Sequence, residues 1–72
     1  MQSGLLWYDN STLDTTAKIL QAAARYQQKF GVKPDTCFVN PQDAPHAATV
    51  QGIHIKTKLT VMPNYFWLGI NK

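Results

Sequence analysis

The chain of 72 residues has a single cysteine, Cys37, few charged side chains and no long apolar run. A single cysteine excludes an internal disulfide and any zinc site made of several cysteines. The apolar runs are far shorter than the ~20 residues that span a bilayer, and the first residues lack the basic and apolar regions of a signal peptide. We therefore expect one domain over residues 1–72, located in the cytoplasm and without a membrane partner.

The chain does contain enough apolar surface to fold. Hydrophobic residues make up 44% of it and charged residues 15%, a balance that is typical of folded and not of disordered chains. The net charge of +3 permits binding to a polyanion without requiring it. The core of so short a chain contributes about 3–5 kcal/mol, and small domains often add a disulfide, a metal or a partner chain. Association with another chain is the supplement that this composition leaves.

The apolar pattern predicts an α+β fold of order β-α-β-β-β, with a mixed sheet of about four strands and one long amphipathic helix on one face. The continuous apolar run at residues 4–8 is typical of a strand buried on both faces. The short connections around the helix indicate a right-handed βαβ unit with parallel strands. Residues 41–52 are predicted to form a loop, with one helical turn begun by Asn40 and Pro41. The four predicted strands are residues 4–8, 36–39, 53–61 and 65–70.

The helix is predicted over residues 12–30, where apolar residues recur with helical period. Ser11 and Asp14 match a capping box at its start, and Gly31 is placed for a left-handed cap at its end. Lys18 falls among the polar residues that should face solvent. The predicted buried stripe consists of Leu13, Ala17, Leu20, Ala24 and Gln27, widened by Ile19, Ala23, Tyr26 and Phe30.

The third and fourth strands are predicted to form a hairpin around the turn at residues 62–64. In the expected register Val61 lies opposite Phe66 and Leu59 lies opposite Leu68, all on the core side. A slip of one residue would exchange the two sides. The side chains then expected on the uncovered side are His54, Lys56, Lys58, Tyr65 and Trp67.

This basic and aromatic face is the main candidate for a binding surface. Tyr and Trp are enriched in the cores of protein interfaces, which favours self-association as a homodimer with Trp67 as the anchor and Tyr65 beside it. Cationic side chains beside aromatic rings on an open sheet are also typical of platforms that bind single-stranded nucleic acid. A solvated surface, on which the lysines prevent aggregation, is the third interpretation.

A second group of polar residues follows the first two predicted strands. In a parallel βαβ unit these residues would gather at the carboxyl ends of the strands, where open α/β sheets bind ligands. Asn and Asp also form turns and helix caps for local reasons, so the same residues fit a purely structural role. No glycine-rich phosphate loop accompanies them, and we expect no cofactor. The group consists of Asp9, Asn10, Asn40 and Asp43.

Segments 5–10, 37–41 and 59–69 together resemble short uncharacterised bacterial α/β proteins. The shared features are an aromatic-Asp first strand, an alanine-rich helix and a Pro-x-x-Phe-Trp C-terminus. The resemblance extends over most of the chain and implies a fold but no activity.

The first strand, which ends in Tyr8-Asp9 and leads into a helix, also resembles the small ferredoxin-like nucleases of CRISPR adaptation. That resemblance implies a metal-dependent enzyme in which Asp9 is a metal-binding carboxylate. This chain is shorter than those nucleases and lacks their second long helix.

The remaining chemically active side chains are isolated in the sequence. Cys37 lies in mid-strand, where a free cysteine usually acts as a small core residue and not as a nucleophile. His46 and His54 have no partner at the spacing of a metal site. We therefore expect a non-enzymatic interaction module that self-associates, with a single-stranded nucleic-acid binder as the alternative and a nuclease-like enzyme using Asp9 as the third possibility.

Overall fold

The structure, a computed structural model, describes residues 4–44 and 48–70. Within them the chain forms one α-helix and a mixed sheet of five strands, which confirms the predicted α+β fold. No helix in this part of the chain is long and apolar enough to cross a membrane. The elements are β1 (Gly4–Tyr8), α1 (Thr15–Phe30), β2 (Thr36–Val39), β3 (Thr49–Val50), β4 (Ile53–Thr57) and β5 (Tyr65–Gly69), with a turn of 3-10 helix at Pro41–Asp43.

The strands lie in the order β1-β5-β2-β4-β3. β5 is antiparallel to both β1 and β2 and lies between them, so these two strands run in the same direction without touching. β4 pairs with β2 in parallel, and β3 adds a short antiparallel edge. The predicted hairpin between the third and last strands is therefore wrong, because β2 separates β4 from β5. β5 has apolar or aromatic side chains on both faces, which suits a strand inside a sheet.

The segment after β4 does not continue as a strand. The predicted strand over residues 53–61 ends at Thr57, and Leu59 is 84% exposed although the sequence placed it in the core. The physical reason is the length of the neighbour: β2 ends at Val39, whose C=O accepts the N–H of Lys58 at 2.9 Å, and offers nothing further to pair with. The chain then crosses the end of β2 to reach β5.

α1 begins three residues later than predicted. Its N-cap is Asp14, whose carboxylate accepts the N–H of Ala17 at 2.8 Å. Ser11 is not the cap, because its N–H donates to the carboxylate of Asp9 at 2.8 Å in a turn that follows β1. The predicted end is confirmed: Gly31 is left-handed, with φ 77°, and its N–H donates to the C=O of Gln27.

The face that α1 buries is rotated from the predicted stripe. Ile19, Ala22 and Tyr26 are buried, and Lys18 is only 7% exposed although the pattern placed it among the solvent-facing residues. Lysine can bury its aliphatic stem while its charge still acts on neighbours, and the ammonium group of Lys18 acts electrostatically on Asp9 in the preceding turn. Four members of the predicted stripe are exposed instead: Leu13, Ala24, Gln27 and Phe30.

The core lies between α1 and one face of the sheet. Alternate residues of β1, β2, β4 and β5 point to this covered face, and their neighbours point to the opposite side. The covered face consists of Leu5, Trp7, Cys37, Val39, Ile53, Ile55, Phe66 and Leu68. The other side, called the open face below, consists of Leu6, Tyr8, Phe38, His54, Lys56, Tyr65 and Trp67.

β1 is an edge strand and is not buried on both faces as its apolar run predicted. In the part of the chain that the structure describes it pairs with β5 alone. Leu6 is 55% exposed and Tyr8 is 52% exposed. Leu5 and Trp7 pack against the core from the other side of the strand. A continuous apolar run therefore marks here a strand with one buried side and one apolar side in solvent.

Candidate interaction face of the sheet

The open face is organised by one row of side chains that crosses four strands. Leu6 on β1 pairs with Trp67 on β5, Trp67 pairs with Phe38 on β2, and Phe38 pairs with Lys56 on β4. The structure places Tyr65 and Trp67 on the same side of the sheet as Lys56, but Phe38 lies between the aromatic pair and the lysine. The sequence interpretation missed Phe38, although the alternation of Thr36-Cys37-Phe38-Val39 gives it the opposite face to the buried Cys37.

The aromatic rings of this face pack along the sheet. The ring centroids of Tyr8 and Tyr65 are 4.8 Å apart with planes inclined by 51°. The Trp67 indole extends over β1 at Gly4, where an added Cβ would lie 2.9 Å from Cζ2 of the ring. The Nζ atom of Lys58 lies 5.4 Å from the centroid of Phe38, a cation–π contact. The rings therefore form a continuous apolar surface with a cationic side.

A groove runs between this surface and the loop that joins β4 to β5. Its volume is about 460 Å³, within the usual range for ligand clefts. Met62 on the loop is mostly exposed, and Trp67 and Tyr65 form part of the floor. The groove is lined by Leu6, Lys58, Thr60, Val61, Met62, Tyr65 and Trp67.

The charge on the open face has one sign among the described residues. Lys56 is exposed there, Lys58 extends over the open face at Phe38 from just after β4, and His54 lies exposed near the start of β4 next to Thr36. The chain has only four acidic residues, all aspartates, and each has a place elsewhere. Asp14 caps α1, Asp9 and Asp43 lie in turns after β1 and β2, and Asp35 precedes β2. The open face is therefore electropositive.

The turns after β1 and β2, which contain the predicted polar residues, are both hydrogen-bonded to a single residue. Asn64, at the start of β5, accepts the N–H of Asp9 on its C=O at 3.0 Å. Its own N–H donates to the carboxylate of Asp43 at 2.7 Å. The turns after β1 and β2 are thus held together by the backbone of one residue that the sequence interpretation did not single out. Asn64 has φ 69°, a left-handed conformation that asparagine tolerates.

The side chains of this group stabilise local turns. The carboxylate of Asp9 accepts the N–H of Ser11, and hydrogen bonding to the side chain of Ser11 first, and to this N–H second, lowers the pKa of Asp9. Asn40 caps the 3-10 turn by accepting the N–H of Gln42 and donates to the C=O of Val61 at 3.0 Å. Asn10 is exposed. The described residues contain no group of three or more His, Cys, Asp or Glu side chains able to hold a metal ion.

The single thiol is part of the core. Cys37 is fully buried on the covered face, and burial raises its pKa from 9.0 to about 12. The thiol therefore stays protonated at neutral pH, and a protonated thiol is a poor nucleophile. Of the two histidines, His54 is exposed on the open face, and His46 lies outside the described residues.

No protein-family model, no curated protein and no solved structure matches this chain. The open face and the strand ends are therefore judged from their own geometry.

Proposed function

We propose that this protein is a small, non-enzymatic interaction module that self-associates as a homodimer through the aromatic and basic open face. The observation that carries the proposal is that only one face of the sheet is covered. In the described residues α1 packs on that face alone. The other face leaves Leu6 and Tyr8 about half exposed beside Tyr65 and Trp67. Monomeric proteins seldom leave contiguous apolar surface of this kind in water.

The small size of the core makes a second copy energetically valuable. Full burial of a large apolar side chain contributes roughly 1.5–3 kcal/mol, which is a large fraction of what a domain of this length derives from its core. A symmetric contact buries the same residues from both copies. Trp67 and Tyr65 supply the aromatic centre of such a contact, with the lysines at its rim.

The oligomeric state in solution tests this proposal. Light scattering over micromolar to millimolar concentration should show a dimer mass, and Trp67→Glu should shift the protein to the monomer. Leu13→Glu is the matched control, because Leu13 is 44% exposed but lies just before α1, away from the open face. A monomer mass at every concentration, or equal effects of the two variants, would contradict the proposal.

The single sign of charge on the open face favours a second candidate, binding of single-stranded nucleic acid. Bases stack on exposed aromatic rings at about 1–3 kcal/mol each, and cations nearby contact the phosphates. Tyr8, Tyr65 and Trp67 supply rings, and Lys56 and Lys58 supply cations at the side of the same surface. A nucleic-acid strand would meet no carboxylate on the described part of this face.

Salt dependence distinguishes this candidate. Fluorescence anisotropy with labelled single strands should show an affinity that falls with salt, by a log–log slope of about −0.7 per phosphate contact. The double variant Lys56→Ala, Lys58→Ala should reduce both affinity and slope. The control with the same change of charge is Lys29→Ala, Lys33→Ala, since both lysines are exposed at the end of α1 and beyond. Binding that ignores salt, or equal effects of the two pairs, would exclude this candidate.

The nuclease-like enzyme implied by the second resemblance has no comparable support from the geometry. Asp9 is partly exposed, but its carboxylate already accepts the N–H of Ser11. Titration calorimetry with Mg²⁺ and Mn²⁺ would test it, and an Asp9→Asn variant would show whether any heat belongs to that carboxylate.

A further inference from the structure

The two edges of the sheet differ in how well they are protected. At one edge β3 has two residues and is followed at once by a tight turn, in which Gln51 and Gly52 have φ 48° and 84°. At the other edge β1 has five residues, with no charge, proline or bulge among them. Proteins usually protect edge strands by shortness, lysine, proline or bulges, because unprotected edges pair with other strands. β1 is thus the unprotected edge of the described sheet.

The direction of the backbone groups on β1 follows from its register with β5. The opposing pairs run from Gly4 with Gly69 to Tyr8 with Tyr65, and the next pair is joined by the hydrogen bond from Asp9 N–H to Asn64 C=O. In an antiparallel ladder the groups of successive residues point alternately to the two sides. The N–H and C=O groups of Leu5 and Trp7 therefore point to β5. Those of Gly4, Leu6 and Tyr8 point outward, away from the sheet.

We propose that the outward side of β1 is the dimer contact, where the β1 strand of a second copy pairs antiparallel about a two-fold axis at Leu6. This inference rests on the proposed self-association but moves the contact from the middle of the open face to its β1 edge. In this register Leu6 faces Leu6 of the second copy, and Gly4 faces Tyr8 in both directions. Every outward N–H and C=O of the strand then has a partner. Within β1 as the structure describes it, residues 4–8, a shift of the axis to Leu5 or Trp7 would leave Tyr8 or Gly4 without a partner.

The side chains fit the same register. Tyr8 of the second copy would lie across Gly4, beside the Trp67 indole that already extends over this glycine. An aromatic residue opposite an edge glycine covers the backbone that glycine leaves bare. The aromatic surfaces of the two open faces would join along β1 into one larger surface.

Charge separates edge pairing from the face-to-face alternative. Lys56 lies on β4, with β5 and β2 between it and β1, and Lys58 extends over Phe38 on β2. Face-to-face packing would place these lysines opposite an identical electropositive surface. Pairing along the uncharged β1 leaves the lysines of both copies in solvent on the joined open face, so a second copy fits the edge better than the face.

A symmetric cross-link tests the register. The Cβ atoms of opposed residues in an antiparallel pair lie about 4.5–5.5 Å apart and are farther apart in hydrogen-bonded pairs, which exceeds the span of about 3.5–4.5 Å in a disulfide but suits a short thiol cross-linker. A short bis-maleimide should therefore join Leu6→Cys into a covalent dimer at low protein concentration, where native Cys37 is too buried to react. Leu59→Cys is the control, because that position is more exposed than Leu6 but lies on the loop after β4. Equal cross-linking of the two variants would overturn the proposal.

A proline at the same position tests the backbone pairing. Leu6→Pro removes an N–H that points away from β5, so the ladder within the chain keeps its hydrogen bonds, and edge strands tolerate proline there. Loss of one hydrogen bond from each copy should weaken dimerisation by at least about tenfold, whereas Leu6→Thr, which keeps the N–H, should stay closer to wild type. If Leu6→Pro fails to fold, the cross-linking of Leu6→Cys decides alone.

The outcomes separate the two levels of the proposal. A wild-type protein that is monomeric at millimolar concentration contradicts both the self-association and the edge pairing. A wild-type dimer that survives Leu6→Pro and does not cross-link through Leu6→Cys contradicts the edge pairing alone, and the dimer then forms through the open face.

Discussion

The two faces of the sheet are built by the same strands and differ in almost everything else. On β5 Phe66 points to the covered face and is fully buried, whereas its neighbour Trp67 points to the open face and keeps part of its indole in solvent. On β2 the buried Cys37 and the half-buried Phe38 repeat the same contrast. The covered face holds the side chains that stabilise the fold. The open face holds large rings that contribute less to stability and are free to contact another molecule.

The comparison explains how so small a chain can carry a binding surface. A sheet of five strands has two faces, and one helix of 16 residues covers one of them. On the open face the exposed apolar residues are not scattered, because the row from Leu6 through Trp67 to Phe38 is continuous. A continuous row is what a partner can cover in one contact.

The largest expected effect comes from truncating neighbouring residues on opposite faces. Phe66→Ala should destabilise the protein by about 3–5 kcal/mol, enough to unfold much of it, because it leaves a cavity in a small core. Tyr65→Ala should cost markedly less, since that side chain is only partly buried. Urea denaturation followed by far-ultraviolet circular dichroism measures both. Similar losses from the two variants would mean that the open face contributes to stability as much as the core does.

Alkaline pH should weaken the covered face through Cys37. Burial raises the pKa of this thiol from 9.0 to about 12, so the unfolded chain loses the proton first. The stabilisation is fully present below pH 9 and is lost as pH rises towards 12, at about 1.4 kcal/mol per pH unit. Urea midpoints between pH 8 and 11 should fall more steeply for the wild type than for Cys37→Ala, which lacks the thiol. Parallel curves would show that the thiol is not buried in a dry core.

Local patterns in the sequence predicted local structure well. The end of α1 at Gly31 and the positions of β1 and β2 depend on residues within a few positions of each other, and these predictions are confirmed. The predicted start of α1 was wrong because the N–H of Ser11, which a capping box would pair with Asp14, is bound elsewhere. Asp9 binds the N–H of Ser11 and leaves the capping to Asp14.

Strand pairing could not be predicted in the same way. The insertion of β5 between β1 and β2 depends on contacts between residues far apart in the chain, and alternation within residues 53–61 carries no information about which strand lies alongside. β3 was missed because two residues give no periodic signal.

The side on which Tyr65 and Trp67 lie could be predicted despite the wrong neighbour. Successive side chains of a strand point to opposite faces whichever strand pairs with it, and the alternate residues Phe66 and Leu68 belong to the core. Strand pairing alone decides which strand lies between the rings and the lysines. The predicted hairpin placed the rings directly beside the lysines, so Phe38 on the intervening strand β2 was missed.

A methyl group at Gly4 should show how closely the open face is packed at its edge. A Cβ there would lie 2.7 Å from the C=O oxygen of Leu68 and 2.9 Å from the Trp67 ring, so backbone or indole must move. Gly4→Ala should cost about 1–3 kcal/mol and shift the Trp67 fluorescence. Gly52→Ala is the control: its space is open, its φ of 84° costs about 1 kcal/mol, and the Trp67 signal should not change. An unchanged indole signal in Gly4→Ala would show that Trp67 does not lie over β1.

The smallest expected effect concerns the N-cap of α1, the helix that covers one face of the sheet. Asp14 accepts the N–H of Ala17 and caps α1, whereas Ser11 lies in the turn before it. Asp14→Ala should therefore destabilise the protein by about 1 kcal/mol, the usual cost of losing an N-cap, and should increase amide hydrogen exchange in the first turn of the helix. Ser11→Ala should change stability by only a few tenths of a kcal/mol, because it keeps the N–H that the Asp9 carboxylate accepts and removes an exposed hydroxyl whose hydrogen bond from the N–H of Leu13 is long, at 3.4 Å. A larger loss from Ser11→Ala than from Asp14→Ala would place the start of the helix earlier, at the capping box that the sequence predicts, and would extend the cover of the sheet by one turn.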